Sequence, residues 1–550
     1  MDGKSEKSAG ELNMRSCKFL LILGVLVILN FINAKVLFSK DMAPEKPDIF
    51  LPSVVLEVED LSVKNIVAPL PEEEILTPDI NFPLPDEEEL KISETALNIE
   101  PMPFTVEPAL ATKKGKLRTN TTLGVGTLNN FYSYISLYSF ATKPEAKLIY
   151  EHETADGFSG KPSSIGYSVR SDDVQAGINY KMNRLNIEGE SGFNEIERGL
   201  QEESAYFSKI NRFIEFNANV SYNISDRLGL FGKIENRFDS QRLTGGVVPY
   251  DGKIEYCVSP SVKVEYKLKN GTIGFKGYFG YRGVSGDKDL SLNRFSVGSY
   301  FDFNISDKDS IKGGVDGYWN SANTSYVPFY IGVQSTVNEF LSVSGEGGYR
   351  LIINDLYRVF KDFPYVDIPT TLSDSTEWYL NAGAMWIASE KWVFTSRIEF
   401  SRFYNKPGFN TNLTPNGLFE VGEYDGKMLS GNLGARWILN DIFSARFRFT
   451  ALSGDVPENM NQLEGMVNLE GISKNGKFGG TSEVEYSMNR INNEQIPQFN
   501  LGAFYRINDY FTFSLEANDI LQPIFNKKRY SFYPYFDRGF FLTIKTSVNF

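Results

Sequence analysis

RGFFLTIKTSVNF occupies residues 538–550 and its reading decides the fold. Phe540, Leu542, Ile544, Thr546, Val548 and Phe550 fall on one register, with Phe541, Thr543, Lys545, Ser547 and Asn549 on the other. A repeat of two is the mark of a β-strand. One face of this strand is apolar to its last residue, and the other is mixed.

Working back from it, the same alternation recurs along most of the chain. In NRFIEFNANVSYNIS, residues 211–225, Ile214, Phe216, Ala218, Val220 and Tyr222 share one face, while Arg212, Glu215, Asn217, Asn219 and Ser221 lie mostly on the other. Phe213 breaks the pattern. The composition agrees, since 29 Tyr, 43 Phe and 47 Gly are spread through short alternating runs rather than helical stripes. Mean hydropathy is −0.26, which excludes a bundle of membrane helices, each needing about 20 consecutive apolar residues.

Alternation alone would suit a soluble sandwich equally well, and the spacing of the connections decides between them. Tight polar turns fall at 143–146, 182–184, 223–227, 269–271, 306–310, 337–340, 389–391, 440–442, 474–477 and 508–510. Between them lie longer connections, at 155–165, 193–208, 238–252, 283–290, 320–325, 353–375, 404–424, 452–460, 488–495 and 521–537. With one further loop at 126–130, short and long connections alternate throughout. Short turns at one end and longer loops at the other are the pattern of an outer-membrane barrel. The expected fold is all-β: a transmembrane antiparallel barrel of about 22 strands over residues 114–550. The strand containing Phe540, Leu542, Ile544, Val548 and Phe550 is then expected to close it, so that no unpaired edge meets lipid.

Two other kinds of sequence precede the barrel. Residues 19–34, FLLILGVLVILNFINA, follow Lys4, Lys7, Arg15 and Lys18 and predict a signal peptide over 1–34, the apolar core being short for a membrane span. Removal of the leader would take Cys17 with it and leave Cys257 as the one cysteine, so no internal disulfide is expected. Residues 41–110 carry 17 Asp or Glu against three Lys, 11 prolines and no glycine. That is 14 negative charges in excess, more than the net −13 of the whole chain, and residues 111–550 come close to neutral. Proline and mutual repulsion favour an extended, irregular periplasmic segment over 35–113. Its apolar clusters around Phe50 and Phe82 mark a candidate lumen-docking segment, entering or capping the periplasmic mouth.

The chain offers little for catalysis. His152, in YEHETADG, is the sole histidine, and an exposed site near a loop mouth is the expected setting for it. No catalytic residue, metal ligand or cofactor site is assigned, and no enzyme activity is expected. The acidic runs at 71–75 and 85–90 lack the alternating ligands and turn glycine of a calcium loop. Basic pieces at 405–409 and 526–530 are too isolated for nucleic acid.

The stretch NDILQPIFNKKRYSFYPYFDRGFFLTIKTSVNF (518–550) resembles the final hairpin of TonB-dependent receptors, with Tyr533, Pro534 and Arg538 ahead of the last aromatic strand. LGVGTLNNFYSYISLYS (123–139), after EPALATKKGKL (107–117), resembles the barrel start of a plugless, receptor-like branch. Such receptors carry a folded plug of well over a hundred residues ahead of the barrel, and here 79 residues, 35–113, stand in its place.

The resemblance implies an outer-membrane protein passing a solute across that membrane. It also implies an aromatic C-terminal strand read by the outer-membrane assembly machinery, and contact with lipid. A periplasmic or inner-membrane partner reached through residues 35–113 is the remaining expected partner. The alternative is a structural or assembly subunit of an outer-membrane complex, with the barrel as a platform.

Overall fold

A computed structural model describes residues 117–550 except 140–142, 159, 247–251, 286–288, 368–372, 441, 457–459, 489–495 and 528. The leader, the acidic segment, Phe50 and Phe82 lie outside the described residues. The sheet has 23 strands, of which Ser325–Tyr326 is a two-residue appendage, leaving a closed antiparallel barrel of 22. Every neighbour in sequence is a neighbour in the sheet. Among the described residues, no helix is long and apolar enough to cross a membrane.

Closure is made by the final strand, Phe541–Asn549, which pairs with Phe511–Asn518 on one side and Leu117–Gly126 on the other. The seam runs from Asn120 opposite Asn549 to Gly126 opposite Thr543. Phe550 extends it, exchanging backbone hydrogen bonds with Thr119 at 2.9 and 3.1 Å. Glycine is required at 126, where a Cβ would run into the Leu542 carbonyl.

The two registers separate by chemistry. Ile544 is 57% exposed on the outer surface, flanked by its exposed cross-strand neighbours Val125 and Leu515. Thr543, 2% exposed, faces inward with Lys545 and Ser547. Ser547 shares a 2.8 Å hydrogen bond with Thr122, and Lys545 pairs with Glu516 at 2.7 Å beneath the Tyr132 ring. Apolar out and polar in is the arrangement that satisfies lipid outside and water within.

The short turns fall where the sequence places them, for example between Met182 and Leu185 and between Leu268 and Gly271. The long side differs in several places: the strands Leu185–Gly199 and Leu228–Thr244 run seven residues into the connections expected at 193–208 and 238–252. The connection expected at 404–424 is mostly strand, because Trp392–Leu413 and Phe419–Ile438 continue to a tip at 414–418. A strand crosses the hydrocarbon in about 9–11 residues, so this hairpin of 22- and 20-residue strands projects well beyond it. The loop expected at 283–290 is brief, since pairing persists to Ile254–Ser285 and Leu290–Val284.

Both described ends of the barrel lie at the short-turn mouth, so the long loops face the other way. With the short turns in the periplasm, a cysteine at Ala322, exposed in the turn after Asp309–Asn320, should react with an impermeant maleimide in intact cells. Reaction only after lysis would reverse the orientation. Asp374, in a long loop, is a poor place to look, being 5% exposed and held by Arg294.

Candidate functional site

The long-loop mouth is covered. Between the strands Leu341–Ile352 and Ser375–Ser389 the chain forms a short helix, Leu356–Asp362. Asp355 caps it by accepting from the Arg358 N–H at 2.9 Å. Phe363 ends it because Pro364 follows. Leu356, Val359, Phe360 and Phe363 are spaced i, i+3, i+4, i+7, which puts them on one face, and all four are buried.

That face meets side chains drawn from around the barrel. Phe213 stands edge-on to Tyr357 and Phe360, with ring centroids 5.1 and 5.9 Å away. Leu200, Leu243, Phe409, Leu418, Phe419 and Tyr535 complete the cluster. Phe213, the residue that broke the alternation, therefore points inward with Glu215 and Asn217, and it does so to hold the helix.

Polar contacts latch the same segment. Lys209, fully buried, donates to the carbonyls of Pro364 (2.9 Å) and Val366 (2.5 Å). Arg237 pairs with Asp355 at 2.5 Å. Glu255, paired with Arg282, accepts from the Leu356 N–H at 2.9 Å. Val366 forms a parallel bridge to Phe419, flanked by Asp367 N–H to the Phe419 carbonyl (2.8 Å) and Phe419 N–H to the Tyr365 carbonyl (3.0 Å). At the far end Asp374 takes two hydrogen bonds from Arg294, at 2.7 and 3.0 Å, and one from Tyr318 at 2.6 Å.

Other loops lock over the helix. The Tyr365 ring stacks on Tyr535 at 4.0 Å between centroids, and the Tyr535 hydroxyl donates to the Gly417 carbonyl. Burial pushes both phenols above their ordinary pKa. Ser204 donates to the Asn416 carbonyl at 2.6 Å, although the strands carrying these two loops lie close to half-way round the barrel from each other. Gln201 exchanges two hydrogen bonds with Phe536, at 2.7 and 3.0 Å. Loops from opposite walls thus meet over the axis.

Beneath Tyr357 a cavity of about 200 Å³ opens on the inner wall, lined by Asp173, Gln175, Glu190, Asn194 and Glu215. Asp173 accepts from Gln175 (3.0 Å) and Asn194 (3.1 Å), and Lys147 pairs with Glu190 at 2.7 Å.

The sequence-assigned positions lie apart from this cap. Phe540 precedes the final strand with its N–H donated to Gln522 (2.8 Å), while Leu542, Ile544, Val548 and Phe550 lie along the seam. Arg538 pairs with Glu153, and Tyr533 packs on Tyr530. His152 is corrected: it sits within the strand Glu145–Asp156, 16% exposed, with Nδ1 2.7 Å from Asp172. Its neighbours are the rings of Phe131 and Tyr150, on the outward register. Among the described residues no three His, Cys, Asp or Glu side chains are grouped to hold a metal ion. The helix itself escaped the sequence reading, although LYRVFKDFPYV (356–366) carries its 3.6-residue apolar spacing in plain view.

No protein-family model matches the sequence, and no curated protein is detectably similar to it. Solved structures match by fold. The FrpB iron transporter from Neisseria meningitidis (F5-1 variant, apoprotein) has a TM-score of 0.62 at 10% identity, over 80% of this chain and 82% of that one. The siderophore receptor PirA from Pseudomonas aeruginosa gives 0.57 at 11% identity, over 79% and 80%. The alcaligin outer-membrane receptor FauA from Bordetella pertussis gives 0.53 at 8%, over 79% and 76%. Likeness at these identities establishes a shared barrel fold and no ligand.

Proposed function

We propose that the protein is a TonB-dependent-receptor-like transporter of the outer membrane whose outer mouth is gated by residues 353–367. The carrying observation is the pairing of a closed, polar-lined 22-strand barrel with a loop helix packed across its outer mouth. A barrel of this size leaves a lumen that must be obstructed if the membrane is to remain a barrier. The cap answers that need on one side, and it is held there by side-chain latches and one short backbone bridge to Phe419.

Similar folds include an iron transporter and a siderophore receptor, which makes metal-bearing small molecules the first solutes to test. The final strand would serve as the signal to the assembly machinery. Residues 35–113 would reach a periplasmic or inner-membrane partner. In planar bilayers the purified protein should be closed for most of the recording, with rare large conductance steps. A barrel that conducts in no condition, even with its cap weakened, would instead be a scaffold.

A further inference from the structure

The strands Phe419–Ile438 and Phe443–Gly454 place Arg436 opposite Arg446, both on the inward register, next to the short turn that joins them. Arg448 follows two residues along the same face, opposite Gly434. Like charges directly across a strand pair are destabilising, and a bound anion would relieve the repulsion. Neither Arg436 nor Arg446 forms an ion pair or hydrogen bond through its side chain among the described residues, and both are exposed.

Two of the acids nearby are already engaged. Glu483 lies on the Arg446 rung beyond Asn468, but its two oxygens are held by Asn468 (3.3 Å) and Asn500 (3.1 Å). Glu399 is engaged by Arg397 (3.0 Å) and Arg350 (2.6 Å). Arg448 donates to the Met466 sulfur at 3.6 Å. Glu464, Glu470 and Glu485 also face inward on the adjoining strands.

We propose that Arg436, Arg446 and Arg448 form an oxyanion-binding site on the lumen wall near the short-turn mouth, for a ligand with clustered carboxylate or phosphate oxygens. The planar guanidinium fork matches such oxygens two at a time, and two forks on neighbouring strands grip a multivalent anion. The site rests on the reading of the barrel as a passage. A passing solute with such oxygens supplies the chemistry.

The test uses the full-length protein in detergent at low salt, with citrate as probe in isothermal titration calorimetry. Saturable binding that weakens at least tenfold in Arg436→Gln/Arg446→Gln, but not in the outward-facing Arg170→Gln, supports the site and a free solute. Equal citrate affinity in wild type and double variant overturns the proposal. So does the absence of saturable citrate binding to the wild-type protein. Heat-modifiable mobility on gels verifies that each variant keeps its barrel. Binding rather than flux is measured, so failure here leaves passage through the barrel untouched.

Discussion

Phe213→Ala combined with Lys209→Met will turn a mostly closed barrel into a leaky one. Phe213 packs against the cap helix through two aromatic contacts, and removing a packed Phe costs about 3–5 kcal/mol. Lys209 supplies the donors for two buried carbonyls, and each left unmet costs roughly 1–3 kcal/mol. These sites share a partner, so the losses will not simply add. Taking only about 4 kcal/mol, at 1.4 kcal/mol per factor of ten, the closed-to-open ratio falls about a thousandfold.

Neither substitution touches the hydrogen-bonded ladder, so the barrel should still insert and migrate as a folded species. The measurement is the open fraction in planar bilayers, with sensitivity of cells to large antibiotics alongside. Unchanged conductance in a correctly folded double variant would mean that the cap is not the barrier. The same result in Phe213→Leu, which keeps most of the apolar contact, should lie close to wild type.

The barrel was legible because each strand has to satisfy two solvents at once. That demand writes itself into sequence as a strict alternation, and the turns that interrupt it are polar and short. Legibility fails where backbone irregularity hides the repeat. At 404–424 the pairing register shifts between Phe403 and Lys406 and again between Phe409 and Leu413, with Asn405 at φ +54°. Such bulges put successive residues out of phase, so a continuous hairpin reads as a loop.

The cap was hidden for another reason. Its apolar face is complete in sequence, but its seven-residue helix is too short to be argued without the residues that receive it. Those residues, Leu200, Phe213, Phe409, Phe419 and Tyr535, are scattered over more than 300 positions and are brought together only by the closing of the barrel. The one local clue was Phe213, an aromatic on a face otherwise set with Glu and Asn. His152 shows the converse, since a lone polar residue in a strand gives no warning that Asp172 on the next strand will hold it.

Disrupting the seam should have the second large effect, and it should follow the register of the last strand. Ile544 lies on the lipid side between Val125 and Leu515. A basic residue placed on that face at the bilayer midplane costs about 2–4 kcal/mol, and an acidic one less. Ile544→Arg should therefore lower the yield of folded, heat-modifiable barrel most, followed by Ile544→Asp. Phe550→Ser should do less to the folded barrel, because the backbone bonds to Thr119 survive the change.

Lys545→Ser should be milder than either change at 544. It removes an ion pair with Glu516 and a contact with the Tyr132 ring. The pair is only partly shielded and the lumen can solvate Glu516, so about 1 kcal/mol or less is at stake. The order of folded yield on gels, with Lys545→Ser above Ile544→Asp above Ile544→Arg, is set by which side of the sheet each residue occupies. A reversed order would place Lys545 against lipid and Ile544 in the lumen, which would shift the last strand by one residue and turn every neighbouring face with it.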